Sequence, residues 1–301
     1  MGGPASITVQ VPSARRDVAT ASLVQVQQTL EALEARYSRY RADSIVSQIN
    51  ARAGREEFTE VDEECRALLA LADTLWRDSD GLFDPTVGVL NRVWDFQTGH
   101  LVNLPALEAL QHQVGWDSVE ITQEGVYLTV AGSEMDLGGL VKEYAADTVA
   151  QSLKEQGIES ALVALAGDVV AVGSQADGRP WRVGISDPIN PNESVFSLEM
   201  VDMAVCTSGS YARRFEYEGK LVSHLLNPHT GYPVDGPVSV SVIADTALIA
   251  GAVATVACLH DHHKAPLWLN RSGLPWLILD AQGHGVGPIH DKLNMPASLQ
   301  G

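Results

Sequence analysis

Basic residues are few: 20 Lys and Arg stand against 38 Asp and Glu, for a formal net charge of −18. Such a chain repels nucleic-acid backbones and anionic membrane surfaces, so no nucleic acid is expected as a partner, and an anionic cofactor has to be held by a local exception. Cysteines are few as well. Cys65, Cys206 and Cys258 are widely separated in apolar stretches without CxxC spacing, which excludes a disulfide framework and predicts reduced core thiols. No apolar run approaches the roughly 20 residues that span a bilayer, and the N-terminus lacks the charged start and apolar core of a signal peptide. The expectation is a soluble chain without membrane insertion, cytoplasmic as given, or periplasmic if a signal segment has been removed.

With 45% hydrophobic residues in 301, the chain can bury one large core or two smaller ones packed together. Strand-like alternation at residues 6–11 precedes a helix predicted from Asp17 to about Tyr37, with Leu23, Val26, Leu30, Leu33 and Tyr37 on its inward face. A second helix is predicted from about Val61 to Trp76, with Cys65, Leu68, Leu69, Ala72 and Trp76 inward, and a short third one after a cap at Asn103. Two hairpins follow, Val119–Thr122 with Val126–Val130 and Ala161–Leu165 with Val169–Val172. Between them a strong helix runs from Leu140 to about Lys154 and is ended by Gly157. Further strands at Trp181–Ile185, Arg213–Tyr217, Lys220–Leu226, Val238–Ala244 and Trp276–Leu279, and a final long helix from about Asp245 to Leu259, give an α+β pattern. Mixed or antiparallel sheets with packed helices are expected, in one domain over 1–301 with an inserted helical subdomain at about 50–115.

The most informative segment is Met135–Tyr144, Met-Asp-Leu-Gly-Gly-Leu-Val-Lys-Glu-Tyr. A strand end, two glycines and a helix start gather unpaired N–H groups and the positive end of a helix dipole, with Lys142 in the first turn. That arrangement suits a diphosphate cradle, with Asp136 accepting hydrogen bonds or orienting a metal-bound water. Taken alone, it reads more simply as an ordinary strand-to-helix turn with a solvated lysine.

Five more segments occur with it in a fixed order: Tyr37–Ser44, Gly81–Gly88, Trp181–Pro188, Thr207–Tyr211 and Ser223–Pro233. Together they resemble the signature of the ApbE family over nearly the whole chain. The resemblance implies an ApbE-like, T-fold-related architecture and a flavin transferase that moves FMN from FAD to a Thr or Ser hydroxyl of a partner protein, with magnesium bridging the phosphates and AMP leaving. It also implies a FAD site formed by Met1, Tyr40, Leu82, Phe83, Asp84, Asp136, Lys142 and Leu225. The chemistry of these side chains suits a flavin nucleotide. Tyr40 can stack on a ring, Phe83 and Leu225 supply apolar walls, Asp84 can accept from ring or exocyclic N–H groups, and Lys142 brings positive charge. His224 is the candidate general base, because histidine titrates near neutrality and it lies beside Leu225 in the motif; a buried histidine that fixes the Asn227–Pro233 turn is the alternative.

The chain also departs from the family pattern. The family's metal site draws on an Asp four residues before a Thr in the last long helix, with an oxygen from the Asp-Leu-Gly-Gly segment. Here the Thr is Thr255 but position 251 is Gly, which leaves Thr255 and the Gly139 carbonyl as metal ligands. Asp245 is expected to serve as the helix N-cap, and Gly251→Asp is expected to restore a carboxylate one turn from Thr255. Glu143 stands where Gly is usual, and Ala164 and Ala166 stand where Asn and Gly are usual. His260–His263 offers imidazoles to zinc or nickel, or is a solvated loop. Two other functions remain beside transfer: hydrolysis of FAD to FMN and AMP, and non-catalytic flavin carriage.

Overall fold

The computed structural model describes residues 3–96, 100–101, 104–190, 192–211 and 214–294. Its frame is a seven-stranded sheet of β1 (Ala5–Val9), β2 (Ala161–Leu165), β3 (Asp168–Val172), β4 (Ala204–Gly209), β5 (Ser239–Ala244), β6 (Trp276–Leu279) and β7 (Gly285–Val286). They lie side by side in that order, and every neighbouring pair is antiparallel. Four longer helices are α1 (Arg16–Tyr37), α2 (Glu63–Asp78), α3 (Val141–Glu155) and α4 (Ala247–Leu259).

The middle of the sheet is buried on both faces. Val170 and Val172 point into the core shared with the four helices, while Val169 and Ala171 point into a second core under the hairpin Trp181–Ser186 with Ser194–Met200. Burial on both sides explains why β3 beyond Asp168 reads as an uninterrupted apolar run, Val169–Val172. A third cluster joins Val89, Leu90, Val93, Trp94 and Leu107 to Leu226, whereas α2 belongs to the main core.

Several boundaries move from the sequence reading. Leu23 is 37% exposed, because the buried stripe of α1 runs through Ala19, Ser22, Val26, Leu33 and Tyr37. In α2, Leu75 is inward and Trp76 only half-buried, after Asp62 caps the helix by accepting from the Cys65 amide at 3.0 Å. The N-cap of α4 is Thr246, not Asp245; it accepts from Ile249 N. Asp147 of α3 accepts from the next two orphan amides, Ala247 at 2.7 Å and Leu248 at 2.8 Å, so α3 fixes where α4 begins. α4 is the last long helix, and two shorter ones, Lys264–Ser272 and Pro288–Asn294, follow it. The strands Ala204–Gly209 and Ser194–Met200 are additions. Asn103 lies outside the described residues.

The β2–β3 hairpin turns on Ala166 and Gly167, both with positive φ, +51° and +100°. A two-residue turn of this hand suits Asn or Gly at its first position, and Ala is strained there. The Ala166→Gly variant is expected to be more stable by about 0.5–1 kcal/mol, read as a raised midpoint in urea.

Candidate active site

The Asp-Leu-Gly-Gly segment closes on itself before α3. Asp136 Oδ1 accepts from Gly138 N at 2.8 Å, and the Leu140 and Val141 amides both donate to Leu137 O at 3.0 Å. No side chain caps α3. Phe83 packs onto Gly139, where a Cβ would stand 3.3 Å from the ring. On the other side, Asp136 Oδ2 meets Arg39 at 3.4 Å; Arg39 also bonds Glu134 at 2.6 Å and the Gly88 carbonyl at 2.8 Å. The Arg39 guanidinium lies 5.6 Å from the centre of the Tyr40 ring, which is 74% exposed. Arg39 thus ties Tyr40 to Asp136, and Phe83 packs on Gly139 three residues beyond that carboxylate.

Lys142 does not reach outward. Its ammonium pairs with Asp168 and, at 3.1 Å, with Glu143 Oε1. Burial disfavours the charge, but the two carboxylates outweigh it and hold the Lys142 pKa above its ordinary value. Burial pushes the Glu143 carboxyl up against the pull of Lys142. Asp168 also accepts from Thr207 N at 3.1 Å, and Ser208 Oγ and Thr255 Oγ1 share a hydrogen bond of 2.8 Å. The Thr207–Tyr211 motif is therefore joined to Lys142 on one side and to Thr255 on the other.

Asp84 is a structural acceptor. Its Oδ1 takes the Thr86 amide at 2.7 Å and the Thr86 hydroxyl at 2.5 Å, and its Oδ2 takes the Trp116 amide at 2.9 Å. Burial raises its pKa while these bonds oppose the rise. The carboxylate borders a cleft of about 490 Å³ shared with Gly81 and His229. The Asp84→Ala variant strands buried donors and is expected to lose about 2–3 kcal/mol, seen in denaturant melts with or without FAD. If the melt is unchanged and only FAD affinity falls, the carboxylate belongs to the ligand instead.

Leu82 and Leu225 are half-buried against the main core. The Leu225 carbonyl accepts from Val234 N at 2.9 Å, and the turn beyond it is held by the Trp94 indole, which donates to Gly231 O at 2.7 Å. The His224 ring meets Phe96 edge-on at 6.4 Å. Met1 lies outside the described residues, although Gly3 abuts the Ala166 turn.

Asp168, Arg39, Glu134 and Asp147 escaped the sequence reading. A signal existed for Asp168: a carboxylate opening a strand whose other residues are all apolar has to be paired.

Among the described residues no three or more His, Cys, Asp or Glu are grouped for a metal. His260 packs tilted against Trp268 with ring centres 5.9 Å apart, and Asp261 accepts from His263 N and Lys264 N at 2.9 Å, which makes His260–His263 a helix entry. Magnesium asks for less, since one or two carboxylates with neutral oxygens and water suffice. Position 251 has no room for an added carboxylate: a Cβ there would stand 2.4 Å from Glu143 Cγ. Glu143 is 2% exposed, and its Oε2 is buried without a hydrogen-bond partner. An orphaned carboxylate oxygen on the Gly251 face of α4, one turn from Thr255, fits a hard cation.

An antiparallel sheet layered with helices, carrying this polar cluster at the start of α3, defines the class. The ApbE family model matches residues 1–278, and the chain belongs to that family. It is 32% identical over 261 residues to the FAD:protein FMN transferase of Vibrio cholerae serotype O1, covering 85% of this chain and 78% of that protein. To the FAD:protein FMN transferase of Salmonella typhimurium it is 29% identical, over 87% of this chain and 77% of that one. The structure is similar to the flavin transferase ApbE from Vibrio cholerae, with TM-score 0.83 and 26% identity over 95% of this chain and 94% of that chain. It is also similar to the ApbE protein from Thermotoga maritima, with TM-score 0.82 and 28% identity over 96% and 94%.

Proposed function

We propose that this chain is a FAD:protein FMN transferase. FAD is the substrate and a Thr or Ser hydroxyl of a partner protein is the acceptor. The acceptor oxygen attacks the phosphorus of the FMN half, the bond from that phosphorus to the AMP oxygen breaks, and AMP leaves. His224 takes the proton from the hydroxyl. Tyr40 offers its exposed ring for stacking, and Phe83, Leu82 and Leu225 supply apolar surface. Because Lys142 is engaged by two carboxylates, the positive charge that a diphosphate and a departing AMP require is supplied by a magnesium ion. The Thr255 hydroxyl and the Gly139 carbonyl would hold it.

The observation that carries this reading is the convergence of separate motifs on one place: Lys142 with Asp168, Asp168 with Thr207, and Ser208 with Thr255. Relatives named FAD:protein FMN transferase support it. The test incubates the protein with FAD, magnesium and a candidate acceptor and analyses the products. Covalent flavin on the acceptor with stoichiometric AMP is expected. Free FMN with AMP would indicate hydrolysis instead, and unchanged FAD would indicate a carrier.

A further inference from the structure

Gly251 sits inside α4, where glycine costs about 1 kcal/mol relative to alanine. What it admits is the side chain of Glu143. A Cβ on residue 251 would lie 2.4 Å from Glu143 Cγ, 2.9 Å from Oε1 and 3.0 Å from Cδ, the first two too close to coexist without a shift. α3 therefore fills with a carboxylate the space that α4 leaves open. The register of the two helices is fixed one turn further along α3, where Asp147 takes the Ala247 and Leu248 amides.

The two oxygens of Glu143 differ. Oε1 is held by Lys142 at 3.1 Å, and Oε2 is buried with no hydrogen-bond partner. Around the one ammonium stand two carboxylates, Glu143 and Asp168, with side chains 3% and 1% exposed. A buried carboxylate oxygen without a donor is costly unless a cation meets it. Gly251 and Thr255 are one turn apart on the same face of α4, so the carboxylate reaches the side of the helix that carries the Thr255 hydroxyl.

We infer that Glu143 is the carboxylate ligand of the divalent cation in this chain, delivered from α3 across the gap at Gly251, with Lys142 gripping Oε1 and Oε2 facing the ion. The inference rests on the magnesium-assisted reading above and names the residue that completes its site. The two departures from the family pattern, Gly at 251 and Glu at 143, are then one exchange of a carboxylate between facing helices.

The test is a Mn2+ titration followed by electron paramagnetic resonance of the free ion, with and without FAD, on wild type and three variants. Glu143→Gln keeps shape and loses charge; it is expected to weaken Mn2+ binding about tenfold or more without lowering Tm. Gly251→Asp alone is expected to lower Tm, because the space is occupied. The double variant Glu143→Gly with Gly251→Asp is expected to recover both Tm and Mn2+ affinity to within about threefold of wild type. Unchanged Mn2+ affinity in Glu143→Gln, or no Mn2+ binding by wild type, overturns the inference. FMN transfer is measured in parallel: if wild type transfers FMN while Glu143→Gln binds Mn2+ normally, the ligand assignment falls and the proposed function stands. If wild type neither transfers FMN nor binds Mn2+, both fall.

Discussion

Replacement of His224 by alanine is expected to slow FMN transfer about 10²–10⁴-fold while FAD affinity changes only a few-fold. The expectation follows from the proposed role, in which the imidazole takes a proton as the acceptor oxygen attacks, a role that leaves binding of FAD in the ground state largely untouched. The ring also packs edge-on against Phe96, so its removal opens space in the packing. Activity must therefore be expressed per folded molecule. A His224→Gln variant, which preserves more of the bulk, separates the two contributions: it should melt close to wild type and still be slow. If both variants lose stability and turn over at the wild-type rate per folded molecule, the histidine is structural and the proton leaves by another route.

The second large effect is expected at Lys142. The Lys142→Met variant leaves Glu143 and Asp168 buried with no cation between them, and removing one partner of a buried ion pair typically costs about 3–5 kcal/mol. The pH dependence has a definite sign. Without the ammonium, nothing of opposite charge counters the burial that raises the Glu143 carboxyl, so the variant is penalised least below the ordinary carboxylate range and loses stability as pH rises through the raised value. Urea melts in chelator from pH 4 upward, about one pH unit apart, would show the gap to wild type widening with pH. Lys142→Arg, which keeps the charge, should recover part of the loss. A pH-independent gap would mean that the lysine stem, and not its charge, matters.

The long helices were legible because their apolar positions recur at helical spacing, and because Gly157 marks the end of α3. The Ala161–Val172 hairpin was legible because a turn with Gly167 separates two apolar runs. The strand Ala204–Gly209 was not: it runs from apolar to polar without alternation, and only its neighbours on both sides make it a strand. Asp245 was read as a cap because it is acidic and precedes the helix, but the α4 amides are satisfied by Thr246 and by Asp147, a hundred residues earlier. Long-range pairing of this kind leaves no local trace. The same holds for Lys142. The sequence marks it as a charge for phosphate, and the partner that claims it, Asp168, lies on another element. Gly251 and Glu143 were each visible as departures from the family pattern; that one fills the space of the other is a fact of packing alone.

The pairing of β1 with β2 has a consequence for biosynthesis. Residues 5–9 find their partners only at 161–165. At the usual pace of translation, the intervening stretch of about 150 residues keeps that first strand waiting roughly 8–30 s after it is made. Throughout this interval the N-terminal strand is unpaired, and for most of it the adjoining helix also lacks α3, against which it packs in the finished fold. A nascent chain stalled before residue 161 therefore exposes a ready template for strand addition.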